Sequence, residues 1–173
     1  MLKGICVGLR AIEKMDLNKL LEWRNQPEFR LFFREYRELS AENQLQWYEK
    51  LVLNDVNTRM FAIVELKTGE LIGACGLCYI DWVNRNADFS IYIGKDNLYI
   101  DDVLAVDAAR IMEKYGFEEL NLHRLWAEIY SIDEKKKIFF NNLNFEQEGH
   151  FKETHWTQGQ WVDSLFYGKL NIY

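Results

Sequence analysis

The sequence predicts a mixed α/β fold in a single domain spanning residues 1–173. Three observations carry that prediction. Stretches alternating apolar and polar residues, the mark of strands, interleave with stretches bearing apolar stripes at helical spacing. Hydrophobic residues make up 49% and aromatic residues 15% of the chain, enough to fill one sizeable core. Nothing between the termini reads as a linker, an internal repeat or a low-complexity tract.

Residues 5–12 read as a first strand. Asp16 stands as an N-cap before the stripe Leu17, Leu20, Leu21 and Trp23, and that helix stops before Pro27. After an aromatic and arginine-rich stretch over 32–39, Ser40 caps a second helix bearing Leu45, Trp47, Tyr48 and Leu51. These two helices form one wall of a cleft. Strands over 60–66 and 71–80 flank the turn Lys67-Thr68-Gly69-Glu70, whose glycine supplies a positive φ. Asn84-Arg85-Asn86 turns the chain into a strand over 87–94, with Asp88, Ser90 and Tyr92 on one face and Phe89, Ile91 and Ile93 on the other. A helix from Asp101 or Asp102 to 117 carries Leu104, Ala108, Ile111, Met112 and Tyr115, and a strand follows over 120–130. Asp133 caps a helix to 142 with Phe139 and Leu143 inward, and strands over 145–151 and 161–170 turn around Gln158-Gly159. The expected order is β-α-α-β-β-β-α-β-α-β-β.

Charge and patterning narrow the function. A net charge of −6, with Lys and Arg scattered rather than striped, offers no field for nucleic acid phosphates. No apolar run approaches the roughly 20 residues that span a bilayer, and the opening residues lack a signal-peptide core, so a cytoplasmic location without membrane attachment is expected. Cys6, Cys75 and Cys78 lack the second ligand pair of a zinc site and read as buried apolar cysteines. His123, His150 and His155 lack metal-binding spacing and read as structural, so no metal is expected.

A set of short words, in a fixed order along the chain, resembles the GNAT (Gcn5-related) N-acetyltransferases, especially the branch modifying ribosomal proteins and polyamines. They are Leu9-Arg10 with Asp16-Leu17, Glu22-Trp23-Arg24-Asn25, Leu71-Ile72-Gly73 with Gly76-Leu77, and Asn84-Arg85-Asn86-Ala87-Asp88-Phe89. Tyr115-Gly116-Phe117, Leu120-Asn121-Leu122-His123-Arg124 and Glu148-Gly149 complete the series. The resemblance implies a GNAT fold and transfer of an acetyl group from acetyl-CoA to a primary amine: a small amine, an amino sugar or a protein N-terminus. An amine with a pKa of about 10.4 is almost wholly protonated at neutral pH, a barrier of roughly 4.6 kcal/mol that a base or a desolvated pocket must offset. The acidic balance suits a cationic acceptor.

The resemblance also implies roles. Asp88 becomes the candidate base, and Tyr130 and Ser131, at the end of the fifth strand, become candidate hydroxyl donors to the leaving thiolate. Backbone groups around Ile91, Tyr92 and Ile93 would pair with the pantetheine arm. Glu22, Arg24, Asn25, Tyr36 and Trp82 would meet the acceptor. Asp88 has a plainer reading as an ion-pair partner of Arg85 or Arg124.

Two segments depart from the family pattern. Where relatives carry a Gln/Arg-x-x-Gly-x-Gly/Ala loop for the pyrophosphate, this chain has Ile100 followed by Asp101, Asp102, Val103, Leu104 and Ala105, and only Ala105 fits. An aspartate at the N-cap competes with a phosphate for the same donors. Where relatives carry Asn, Ala/Ser, Tyr and Gly before Phe, the aligned residues are Asp133, Lys136, Phe140 and Asn144, and Phe140 has no proton to donate. Lys135 to Lys137 either move the phosphate contact to that helix or form a solvated cationic face. A non-catalytic GNAT-fold binding module is therefore the alternative to the enzyme. The chain is expected to be a monomer or a homodimer, with Trp156 and Trp161 near a pairing edge.

Overall fold

The computed structural model describes residues 1–172. Its centre is one eight-stranded sheet in the order β1-β2-β3-β4-β5-β6-β8-β7. The strands are β1 (Leu2–Lys3), β2 (Val7–Ala11), β3 (Arg59–Glu65), β4 (Leu71–Asp81), β5 (Asn86–Ile93), β6 (Arg124–Tyr130), β7 (Glu146–Thr157) and β8 (Gln160–Leu170). Every neighbouring pair is antiparallel except β5 and β6, which run parallel. A parallel pair needs a crossover. Helix α4 (Leu104–Lys114) supplies it and packs on β2, β4 and β5.

Helices cover both faces, so central strands lose the polar alternation of a one-sided sheet. Residues 72–77 of β4 are buried without interruption. Tyr92 meets Trp23 of α1 (Leu17–Arg24) and Phe29 of α2 (Pro27–Arg30) on one face. On the other, Phe89 meets Phe140 of α5 (Glu134–Asn142). The remaining helix, α3 (Ala41–Trp47), continues into a π-turn over Tyr48–Leu53.

Local chemistry explains several boundaries. Ser40 Oγ caps α3 by accepting from the N–H of Asn43, and Asn43 Oδ1 in turn accepts from the Ser40 N–H. Gln158 and Gly159 both take positive φ, as a two-residue hairpin turn requires. Gly69 likewise has φ 73°.

The expected order gains two short elements, β1 and α2. Pro27 does not merely end α1; it opens α2, where its missing N–H costs nothing. Asp16 stands at the N-cap position of α1, but its side chain makes no cap bond there. It lies in the 3-10 turn Lys14–Asp16, accepting from Glu13 N–H (2.8 Å) and from both terminal nitrogens of Arg10 (2.7 and 2.8 Å). The strand expected from residue 120 begins at Arg124, because a π-turn over Tyr115–Glu119 extends α4. Cys75 is buried, whereas Cys6 and Cys78 are only half-buried. Burial pushes the Cys78 thiol up to about 12.

Candidate active site

The parallel strands β5 and β6 pair only across Asn86–Asp88 and Arg124–Trp126. Beyond that point β5 stays with β4 as far as Ile93, while β6 stays with β8 as far as Tyr130. The sheet therefore forks at Asp88. Ile93 turns its N–H and C=O away from β4 and exchanges both with Tyr99 at 2.8 Å. Strand alternation then points the backbone groups of Phe89 and Ile91 the same way, into the fork. A cleft of about 520 Å³ opens there, lined by residues of β5 and β6, of α5 and of the segment between α2 and α3.

Asp88 lies at the apex, 5% exposed. Its Oδ2 accepts from Arg34 Nη1 at 2.8 Å, and Arg34 Nη2 lies 3.4 Å from Glu128 Oε2. The guanidinium also stands over the rings of Tyr79 and Trp126, at 5.8 and 6.0 Å. Burial raises the Asp88 pKa above the ordinary carboxylate value, against the pull of Arg34 and Lys136. The partner read from sequence is corrected: Arg124 pairs with Glu148 and Arg85 reaches Asn121, so the cation at Asp88 is Arg34. Burial lowers the Lys136 pKa, opposed by Asp133 and Asp88. Arg37 holds Glu35 down to about 2, keeping it charged at the mouth.

The structure gathers some of the expected site residues and removes others. Asp88, Tyr92, Lys136, Phe140 and Arg24 line the cleft. Tyr92 packs against Trp23, Phe29 and Phe33, and burial raises its pKa. Tyr130 lies outside the lining. It stacks on His155 with centroids 3.9 Å apart, and burial pushes its phenol up to about 12. Ser131 Oγ accepts from Asp163 N–H at the β6–β8 edge. Glu22 pairs with Lys19 on the surface, Tyr36 is exposed, and Trp82 donates to Asn57. Asn25 acts indirectly: its side chain exchanges two hydrogen bonds with the Leu39 backbone and closes the loop that carries Arg34. Asp133 is buried, accepting from Tyr99 Oη at 2.5 Å and Lys136 N–H at 3.0 Å.

Sequence reasoning passed over Glu35, Asp55 and Glu128, which also line the cleft. Glu128 had a readable signal, a lone carboxylate within the apolar run of β6. Ser164 Oγ donates to it at 2.7 Å.

The residues fit an acyl-CoA unevenly. Phe89, Ser90 and Tyr92 of β5 line the cleft, whereas Ile91 and Ile93, expected beside a pantetheine arm, are buried outside its lining. The phosphate end does not fit. Asp101 carboxylate oxygens accept from Val103, Leu104 and Ala105 N–H at 3.1, 2.9 and 2.7 Å, occupying the α4 N-terminus. Asp102 and Val103 are exposed beside it. Lys135 donates to Leu98 C=O and Lys137 to Glu134, so the lysine run makes neither a free phosphate clamp nor a fully solvated face. No group of three or more His, Cys, Asp or Glu suited to a metal occurs among the described residues, and no helix there is long and apolar enough to cross a membrane.

A mixed sheet forked between one parallel strand pair, with a buried carboxylate at the apex, is the arrangement that the resemblance to the acetyltransferases implied. A family model described as an acetyltransferase (GNAT) domain matches residues 9–166. The spermidine N(1)-acetyltransferase of Escherichia coli (strain K12) is 31% identical, over 92% of this chain and 83% of that protein. An N-acetyltransferase of Bacillus licheniformis is 27% identical, over 94% of this chain and 91% of its own. A crystal structure of Vibrio cholerae spermidine N-acetyltransferase with CoA and spermine superposes with a TM-score of 0.86 at 25% identity, covering 95% of both chains. Another structure of the Vibrio enzyme is dodecameric. The chain belongs to the GNAT acetyltransferase family, and it is an N-acetyltransferase that moves an acetyl group onto a primary amine. Nothing among these relatives supports the non-catalytic alternative.

Proposed function

We propose that the chain, acting over 1–173 as one unit, uses acetyl-CoA to acetylate a primary amine of a small polycation of the polyamine class. The observation that carries this reading is the charge of the cleft. Glu35, Asp55, Asp88 and Glu128 line it against Arg24, Arg34 and Lys136, four carboxylates to three cations. A polyamine presents several ammonium groups, and carboxylates spaced along one cleft hold them while one end reaches the fork. The E. coli and Vibrio relatives, named for spermidine, support the same class.

Acetyl-CoA, when bound, supplies the activated acyl group. Asp88, at the fork, takes the proton that the acceptor ammonium must lose so that the neutral amine can attack, and its raised pKa makes it a stronger base than an exposed aspartate. Tyr92, which lines the cleft where Tyr130 and Ser131 do not, is the candidate to protonate the departing sulfur. Phe32, Phe33 and Phe140 exclude water around the amine and strengthen each charge interaction there. The exposed β7–β8 arm, with Phe151, Trp156 and Trp161, supports pairing of two copies in preference to a monomer.

An acceptor comparison tests the reading. Acetyl transfer is followed with spermidine, with an amino sugar and with a peptide N-terminus as acceptors. Spermidine should give the highest kcat/KM, and Glu128→Gln should raise its KM by about tenfold, the worth of one partly buried charge pair. A higher kcat/KM for the amino sugar or the peptide, with KM for spermidine unmoved by Glu128→Gln, would refute the polyamine assignment.

A further inference from the structure

The segment joining β5 to α4 makes, within the chain itself, the bonds that the fold offers to a cofactor. Both backbone groups of Ile93, the far end of the forked strand, are taken by Tyr99 at 2.8 Å. Two residues on, Asp101 takes three N–H groups at the start of α4. These are separate contacts, one at a strand edge and one at a helix end, and one short stretch of chain supplies both.

That stretch is held under strain. Asp96, Asn97 and Tyr99 have φ of 53°, 55° and 60°. Asp and Asn tolerate this region, but an aromatic residue there is unfavourable and persists only where its surroundings fix it. The Tyr99 side chain is fixed. Its hydroxyl donates to Asp133, its ring stacks on Phe32 at 4.9 Å, and the Lys136 ammonium lies 5.2 Å from the ring centre. Lys135 pins Leu98 C=O. Asp133 and Lys136, residues expected to meet the cofactor, are thus spent on the same segment.

We propose that residues 98–101 are an intramolecular competitor for acyl-CoA, filling the strand-edge and helix-end positions of the cofactor groove, so that the pyrophosphate binds only by displacing Asp101. This rests on the acetyl-CoA reading above. In wild type the pyrophosphate gains little, because its donors are already satisfied and a carboxylate repels it. Removing the carboxylate charge frees the donors and reverses the field at the helix end.

The test is calorimetric titration of acetyl-CoA and of acetyl-pantetheine, which lacks the pyrophosphate, into wild type and Asp101→Ser. Serine keeps a capping oxygen, and Asp101→Asn serves the same comparison if the serine variant is too unstable to titrate. Wild type should bind the two ligands within a few-fold of each other. The variant should bind acetyl-CoA about tenfold tighter, the scale of one helix-cap interaction, with acetyl-pantetheine unchanged. Wild type preferring acetyl-CoA by about a hundredfold, with no gain in the variant, overturns the competitor while leaving the acetyl-CoA reading intact. Failure of both ligands to bind either protein at millimolar concentration overturns the acetyl-CoA reading and the competitor with it.

Discussion

Asp88 sits between two opposed forces, burial that favours its protonated form and the Arg34 guanidinium that favours its charge, and burial prevails. Because the folded pKa lies above the ordinary value of 3.8, the folded state holds this proton longer than the unfolded chain does. Its contribution to stability is full below the unfolded pKa and is lost as pH rises through the folded one. In the proposed role of base, Asp88 gives activity the opposite limb, since only the carboxylate accepts a proton. The acid limb of kcat/KM should therefore lie above pH 3.8. Replacing Arg34 by Gln should move it to higher pH, because the group that lowers the Asp88 pKa is gone. Asp88→Asn should remove the limb and cut kcat by about a hundredfold or more. A pH–rate profile over acidic to neutral pH checks all three; an acid limb that shifts downward in Arg34→Gln would contradict the assignment. Asp88 was legible in sequence as a carboxylate on the polar face of an otherwise apolar strand. Arg34 as its partner was not, because the two are 54 residues apart and Arg34 lies in the loop between α2 and α3, which only the folded chain lays against β5.

At the scale of elements, three connections set the site. Asp107 of α4 accepts from Ile5, Cys6 and Val7 N–H at 3.1, 2.7 and 3.0 Å, tying the β1–β2 turn to the crossover helix. Asp107→Ala leaves three donors without partners. It should cost on the order of 3 kcal/mol in urea unfolding, at about 1 kcal/mol per bond. Asn25 closes the loop of Phe32 to Glu35 against α1, so Asn25→Ala should raise the acceptor KM several-fold while leaving acetyl-CoA affinity unchanged. Separate titrations of the two substrates read that split. Phe140 of α5 packs on Phe89, Phe145 and Tyr167 with centroids 6.2, 5.0 and 5.7 Å apart. Phe140→Ala should cost about 3–5 kcal/mol, seen as a lower melting temperature. Sequence spoke clearly wherever an element is specified within a few residues, as at Ser40 and Gln158-Gly159. It failed where a polar residue has a competing partner: Asp16 has a capping residue's composition, yet Arg10 and the Glu13 N–H claim its carboxylate. It failed again at α2, because Pro27 signals a stop and a start equally well.

Across the whole molecule, the sheet is continuous on either side of one break. Seven strand pairings hold it together, and the single parallel one ends after Asp88. The proposed site lies where that pairing fails, since the fork leaves β5 backbone groups unpaired by β6 next to a buried carboxylate. The alternation of strands and helices made the architecture readable in advance. Glu35, Asp55 and Glu128 were harder to assemble, because a cleft lined from separate segments has no local signature. An overall charge of −6 adds a long-range attraction for a polycationic acceptor, which salt screens. The KM for spermidine should therefore rise between low and physiological ionic strength, whereas the KM for an uncharged amine should not. The most direct measurement is mass spectrometry of spermidine incubated with acetyl-CoA and the purified protein, alongside Asp88→Asn. The account predicts a singly acetylated polyamine from wild type and little from the variant. No acetylated polyamine from wild type, or equal amounts from both proteins, would contradict it.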